Sequence, residues 1–174
     1  MENKFITNLK MRRSIRAYQT KMPTKESIKR IAEAGSYAPN GLGKQSATIV
    51  VVTDKSLRDK LSKINAEILG ITADPFHGAP ALLIVLADRD VSTYIYDGAL
   101  VMGNMLNAAH AEGLGSCWVH RAKETFASDE GKALLHKWGL KGNLEGIGFC
   151  VLGYSSDEES PHPRPRKENY IIYT

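Results

Sequence analysis

Pro80-Ala81-Leu82-Leu83-Ile84-Val85-Leu86-Ala87 is an unbroken apolar run of strand length. It shows no alternation of polar and apolar residues. A short run of that kind fits a strand covered on both faces. Upstream, Thr48-Ile49-Val50-Val51-Val52-Thr53 is β-branched throughout and reads the same way. Downstream, residues 91–112 form a long helix candidate. Its middle, Ala99-Leu100-Val101-Met102-Gly103-Asn104-Met105-Leu106, is apolar nearly all round, as in a helix inside a domain or between subunits. Gly113-Leu114-Gly115 ends that helix. Ser116-Cys117-Trp118-Val119 then reads as a third strand, and residues 146–154 read as a fourth.

Local signals fill the intervals. Pro23 and Thr24 open a helix in which Ile28, Ile31 and Ala32 recur at helical spacing, ending near Gly35. Residues 36–46 hold Pro39, Gly41 and Gly43 and read as a loop. Asp54 or Ser56 caps the next helix, with Leu57, Leu61, Ile64 and Ile68 on one side and Pro75 and Gly78 beyond its end. Ser128-Asp129-Glu130 supplies a cap and two acids to a further helix, closed by Trp138-Gly139. Tyr170-Ile171-Ile172-Tyr173 is suited to an edge strand. Helices and strands therefore intermingle around a small sheet, and the class is α/β or α+β with helices on both faces.

A chain of 174 residues is expected to form one domain. Its hydrophobic share of 43% and charged share of 24% exclude a disordered chain. The net charge of +4 helps draw in anionic ligands without implying nucleic acid. Cys117 and Cys150 sit in apolar runs, lack CxxC spacing, and read as small buried hydrophobes. No apolar run reaches the length of a membrane span, and the start, Met1-Glu2-Asn3-Lys4, is polar. The expectation is a cytoplasmic protein with no membrane or nucleic-acid partner and no bound metal.

Three segments hold groups suited to ligand chemistry. Arg12-Arg13-Ser14-Ile15-Arg16 places three guanidiniums and a hydroxyl within five residues. Guanidinium forks match phosphate oxygens and never lose their charge. The same cluster also reads as a solvated basic turn. A nucleic-acid patch is a weaker third reading, because no aromatic residues alternate with the basic ones. Ala38-Pro39-Asn40-Gly41-Leu42-Gly43-Lys44-Gln45-Ser46 runs directly into a strand. Its glycines permit close backbone approach, and its amides suit the donor and acceptor rim of a planar heterocycle; the plain alternative is a Gly-rich turn. It carries neither a dinucleotide nor a P-loop fingerprint. Finally, His120 and Arg121 stand at the C-terminal end of the Ser116–Val119 run, where ligands gather in open sheets. His120 there is more readily structural or solvent-facing than catalytic.

In order along the chain, Arg12-Arg13-Ser14-Ile15-Arg16, Ala38-Pro39-Asn40-Gly41…Gln45, Gly113-Leu114-Gly115-Ser116-Cys117-Trp118 and Pro163-Arg164-Pro165-Arg166 together resemble the nitroreductase family of FMN-dependent oxidoreductases, as one of its shorter members. The resemblance runs from about Phe5 to Lys167. It implies an α+β fold, a three-layer α-β-α sandwich around a small mixed sheet, in an intertwined homodimer with a long helix at the interface. It implies that Arg12, Arg13, Ser14 and Arg16 hold the phosphate, ribityl chain and pyrimidine edge of FMN. Pro39, Asn40, Gly41 and Gln45 would lie along the ring from the partner subunit. The backbone at Ala122 and Lys123 would face the ring near N5, and Arg164 and Arg166 would return to the phosphate.

Two departures stand out. Leu42-Gly43 replaces the family's frequent Gly-Asn, and Ser46-Ala47 replaces Pro-Trp. The side-chain amide expected at Gly43 is missing, which leaves Asn40 to substitute for it. The implied activity is ping-pong reduction, with NADH or NADPH as donor and a nitroaromatic, a quinone or a similar small molecule as acceptor. Such chemistry sits on the cofactor and demands no side-chain acid or base. The rival readings are a flavin-binding storage or sensing protein and a basic nucleic-acid-binding domain.

Overall fold

The computed structural model describes residues 3–156 and 162–174. Met1, Glu2 and Pro161 of the sequence readings lie outside them. Helix α1 (Lys4–Met11) is capped by Asn3, whose Oδ1 accepts from the Phe5 N–H at 2.8 Å. Helix α2 (Lys25–Ser36) starts at Thr24, whose hydroxyl oxygen accepts from the Ser27 N–H at 3.1 Å. A single 3-10 turn, Gly41–Gly43, precedes strand β1 (Ala47–Val52). Asp54 caps α3 (Lys55–Leu69), and Gly70, at φ 68°, ends it in the left-handed conformation that glycine adopts at least cost. Then come β2 (Ala81–Asp88), α4 (Tyr94–Ala111), β3 (Gly115–Val119), α5 (Ala122–Ala127), α6 (Asp129–Lys137, capped by Ser128) and β4 (Leu144–Gly153).

The sheet order is β1-β2-β4-β3, and these four strands pair antiparallel throughout. Among the described residues the parallel element of the expected mixed sheet is confined to one bridge, from Ser14 to Ser116 of β3.

The period of two along β2 sorts its side chains between two cores. Ala81, Leu83 and Val85 meet Ile28, Ile31, Val101, Met102 and Met105 of α2 and α4. Leu82, Ile84 and Leu86 meet Leu61, Phe126 and Leu134 of α3, α5 and α6. β4 divides likewise, Cys150 and Leu152 to the first core, Phe149 and Val151 to the second. The result is three layers, α-β-α. Each fully buried aliphatic chain contributes about 1.5–3 kcal/mol, so β2, buried from Ala81 to Ala87, anchors both cores.

Two strand expectations need correction. β1, expected to be covered on both faces, is only half-buried from Ala47 to Val50 with Val51 44% exposed, and among the described strands it pairs with β2 alone at the sheet edge. A short β-branched run signals a strand but does not separate edge from centre. Residues 170–173 form no strand and are exposed. Their β propensity needs a neighbouring ladder, and none of the described residues pairs with them. No helix among the described residues is long and apolar enough to cross a membrane.

Candidate functional site

At the end of α1 the chain turns extended and runs beside the start of β3. The Ile15 N–H donates to the Ser116 carbonyl at 3.0 Å, and the Tyr18 hydroxyl donates to the Ile15 carbonyl at 2.7 Å. Gly115 lets the two segments pack closely, since a methyl group on it would stand 3.0 Å from the Ile15 side chain. The Asn8 Nδ2 donates to the Asn107 carbonyl at 3.1 Å and holds α1 against the last turns of α4. This frame fixes Arg12 and Arg13 half-buried. Arg13 Nη1 donates to the carbonyls of Lys10 (2.8 Å) and Arg12 (2.6 Å). Arg12 Nη1 and Arg13 Nε and Nη2 are buried with no hydrogen-bond partner among the described residues. A buried charged donor without an acceptor costs about 1–3 kcal/mol or more, so three at one corner call for an anion. Ser14 is half-buried beside them, and Arg16 is exposed.

The loop before β1 is built on α4. Asp97, 2% exposed, accepts from the Gly41 N–H (3.0 Å), the Ser46 hydroxyl (2.7 Å) and the Thr93 hydroxyl (3.0 Å). Burial pushes its carboxyl upward, but the bonds from Ser46, Gly41 and Thr93 outweigh it and hold Asp97 below the usual carboxylate range. Its stabilisation is therefore full above the ordinary carboxylate pKa and is lost only as pH falls through the lower folded value. Asp97→Ala strands three donors and is expected to cost about 3 kcal/mol. A lower melting temperature and faster tryptic cleavage at exposed Lys44 would show it; an unchanged melt would count against the anchor.

Within the loop, Asn40 Oδ1 accepts from the Gln45 N–H at 2.9 Å, and Nδ2 faces the Ala38 carbonyl at 3.4 Å. The Asn40 amide thus braces its own loop, its Oδ1 on the Gln45 N–H and its Nδ2 toward the Ala38 carbonyl. Pro39, Gln45 and Leu42 are exposed, Leu42 at 96%. Leu42 and Gln45 both have positive φ (54° and 50°), as the tight loop requires.

Ala122 and Lys123 open α5 at the same end of the sheet. A methyl on Gly146 would stand 2.3 Å from the Ala122 carbonyl, so α5 rests directly on β4. Glu145, whose side chain is 11% exposed, gathers Lys123 Nζ (3.2 Å), Arg89 Nε (3.7 Å) and the Tyr94 hydroxyl (3.2 Å). Asp97 and Glu145 thus tie the loop and α5 to the first turn of α4. Neither was evident in the sequence as a site residue. The available signal for Asp97 was a lone acid inside an apolar helix. His120 is exposed and stacks on Trp118, ring centroids 5.7 Å apart. Arg164 and Arg166 are exposed, and Arg166 donates to the Arg164 carbonyl.

The two assemblies are far apart. The loop enters β1 level with Glu145, whereas Ser14 lies beyond the opposite edge, level with Leu152. Strand spacing and rise put about 30 Å between them. Ala122 and the 12–16 corner, by contrast, flank the two ends of β3.

The nitroreductase family model matches residues 9–159. A candidate NADH dehydrogenase/NAD(P)H nitroreductase of Archaeoglobus fulgidus is 32% identical over 155 residues, 85% of this chain and 83% of its own. An FMN reductase (NAD(P)H) of Bacillus subtilis is 24% identical over 95% of this chain and 72% of its own. The crystal structure of a nitroreductase with bound FMN from Bacteroides fragilis superposes with a TM-score of 0.90, at 26% identity, over 99% of this chain and 100% of that one.

Proposed function

We infer the activity from one premise: the chain belongs to the nitroreductase family. We propose that it is an FMN-dependent oxidoreductase, one domain over residues 1–174, acting as a homodimer on NAD(P)H and a small conjugated acceptor such as a nitroaromatic or a quinone. The observation that carries this reading is the trio of unpartnered buried guanidinium atoms on Arg12 and Arg13. They fit the phosphate of FMN, with the Ser14 hydroxyl as a neutral donor beside them. The bound flavin would supply the redox chemistry, taking electrons from NAD(P)H and giving them to the acceptor in alternate half-reactions.

This chain's residues bind and orient. Arg12 and Arg13 fix the phosphate at one end of β3. Arg16, exposed at the same corner, is placed for the pyrimidine edge, where its charge offsets negative charge gathering on the ring. The backbone at Ala122 and Lys123, held down by Gly146 and Glu145, faces the ring at the other end of β3. The Pro39, Asn40, Gly41 and Gln45 loop stands about 30 Å from the phosphate corner in its own chain, so it serves the site of the partner subunit. Arg164 and Arg166, on an exposed tail, reach a phosphate only as that tail packs in the dimer.

The test starts with the absorbance spectrum of the purified protein and its mass in solution. Yellow dimer that bleaches within seconds on anaerobic mixing with NADH or NADPH is expected. Yellow protein that neither donor bleaches would be a flavin-binding protein without turnover. Protein that stays colourless with added FMN would end the reading.

A further inference from the structure

We propose that His110 is a third ligand of the anion held by Arg12 and Arg13, and that the protein takes up a proton there when a phosphate dianion binds. The inference rests on the phosphate reading above and extends it to a residue of α4.

The geometry comes from the packing of α1 on α4. Asn8 donates to the Asn107 carbonyl. Arg12 lies one turn beyond Asn8, its N–H bonded to the Asn8 carbonyl at 3.1 Å. His110 lies one turn beyond Asn107. Farther along, Ser14 bridges Ser116, so Arg12 and Arg13 on one segment and His110 on the other both lie between the Asn8–Asn107 and Ser14–Ser116 contacts, near enough for the two guanidiniums to act on the imidazole. His110 is half-buried in the last turn of α4, and Arg13 follows Arg12 into the same corner.

The charges that act on it, those of Arg12 and Arg13, are both positive. Burial first, then the Arg12 and Arg13 guanidiniums, hold the imidazole below its usual range and so neutral at pH 7. Glu112, two residues on, is engaged by Arg30 at 2.8 and 2.6 Å. Cys150, which also feels Arg12, is pushed up to about 12 by burial and stays protonated. Lys10 contributes its carbonyl to Arg13 from the α1 side. Without an anion, a protonated His110 would add a third cation beside two whose buried donors, Arg12 Nη1 and Arg13 Nε and Nη2, lack acceptors among the described residues. A phosphate carries about −1.5 to −2 charges and reverses that field. The imidazole can then hold a second proton and donate to a phosphate oxygen. Its pKa rises on binding, so binding strengthens as pH falls through the window between the free and bound values, with up to about one proton taken up per site.

The experiment is calorimetric titration of flavin-free protein with FMN at about pH 7.5, above the phosphate's own second pKa, in two buffers of different ionisation heat. Riboflavin, which lacks the phosphate, is the control. Proton uptake with FMN and none with riboflavin is expected. His110→Gln should abolish the uptake and weaken FMN about tenfold, leaving riboflavin binding unchanged. If His110→Gln takes up protons as the parent does, the inference is overturned while the phosphate reading stands. If the parent protein does not bind FMN at all, the reading falls and the inference with it. Should His110→Gln fail to fold, NMR titration of the His110 imidazole decides: an upward shift with FMN supports the proposal, and an unmoved pKa overturns it.

Discussion

Arg12→Ala combined with Arg13→Ala is expected to give colourless protein that keeps its fold. Three buried guanidinium atoms at this corner have no partner among the described residues. A hydrogen bond to a charged group contributes about 1.5–3 kcal/mol, so losing both guanidiniums removes about 3–6 kcal/mol of phosphate binding. That corresponds to roughly a hundredfold to ten-thousandfold loss of affinity, enough to strip flavin during purification. Stability separates this outcome from misfolding. Removing unpaired buried charge is neutral or stabilising. The variant also loses the Arg13 bonds to Lys10 and Arg12, about 1 kcal/mol, so its melting temperature should match that of flavin-free parent protein closely. Retention of full yellow occupancy would overturn the phosphate corner.

Gly146→Ala is expected to destabilise the protein more than any surface change. The added methyl would stand 2.3 Å from both the carbonyl carbon and oxygen of Ala122 and 2.8 Å from its Cβ. Backbone cannot rotate away as a side-chain end can, so α5 must lift from β4. Overpacking of this kind costs about 3 kcal/mol, or roughly 10 °C in melting temperature for a chain of this size. The lift also carries Lys123 away from Glu145 and shifts the backbone proposed to face the ring. Flavin affinity should therefore fall along with stability. A melting curve identical to the parent's would show that α5 does not depend on this contact.

The features legible in the sequence were local ones. Thr24, Asp54 and Ser128 announced their helices because a cap is settled within one turn. The Pro80–Ala87 run announced a doubly covered strand because apolar residues at both parities need two cores. The helices α1 and α5 were passed over. α1 buries none of its residues, and α5 is six residues long, too short for a periodic pattern to show. The four motifs were enough to place the chain in its family, since their order along the chain survives without coordinates.

The amino-acid sequence by itself determined the class of fold, the two-sided burial of β2, the family, and the charged segment best suited to a phosphate. The tertiary structure decided the rest, because it depends on pairings between residues far apart along the chain. β1 became an edge because β4 took the other side of β2. The amide of Asn40 went to its own loop, and Asp97 went to holding that loop on α4. The corner at Arg12 and Arg13 differs from a wet basic turn in one respect: Asn8 on Asn107 and Ile15 on Ser116 hold the chain so that guanidinium atoms are buried without an acceptor among the described residues, which is what supports the proposed anion site.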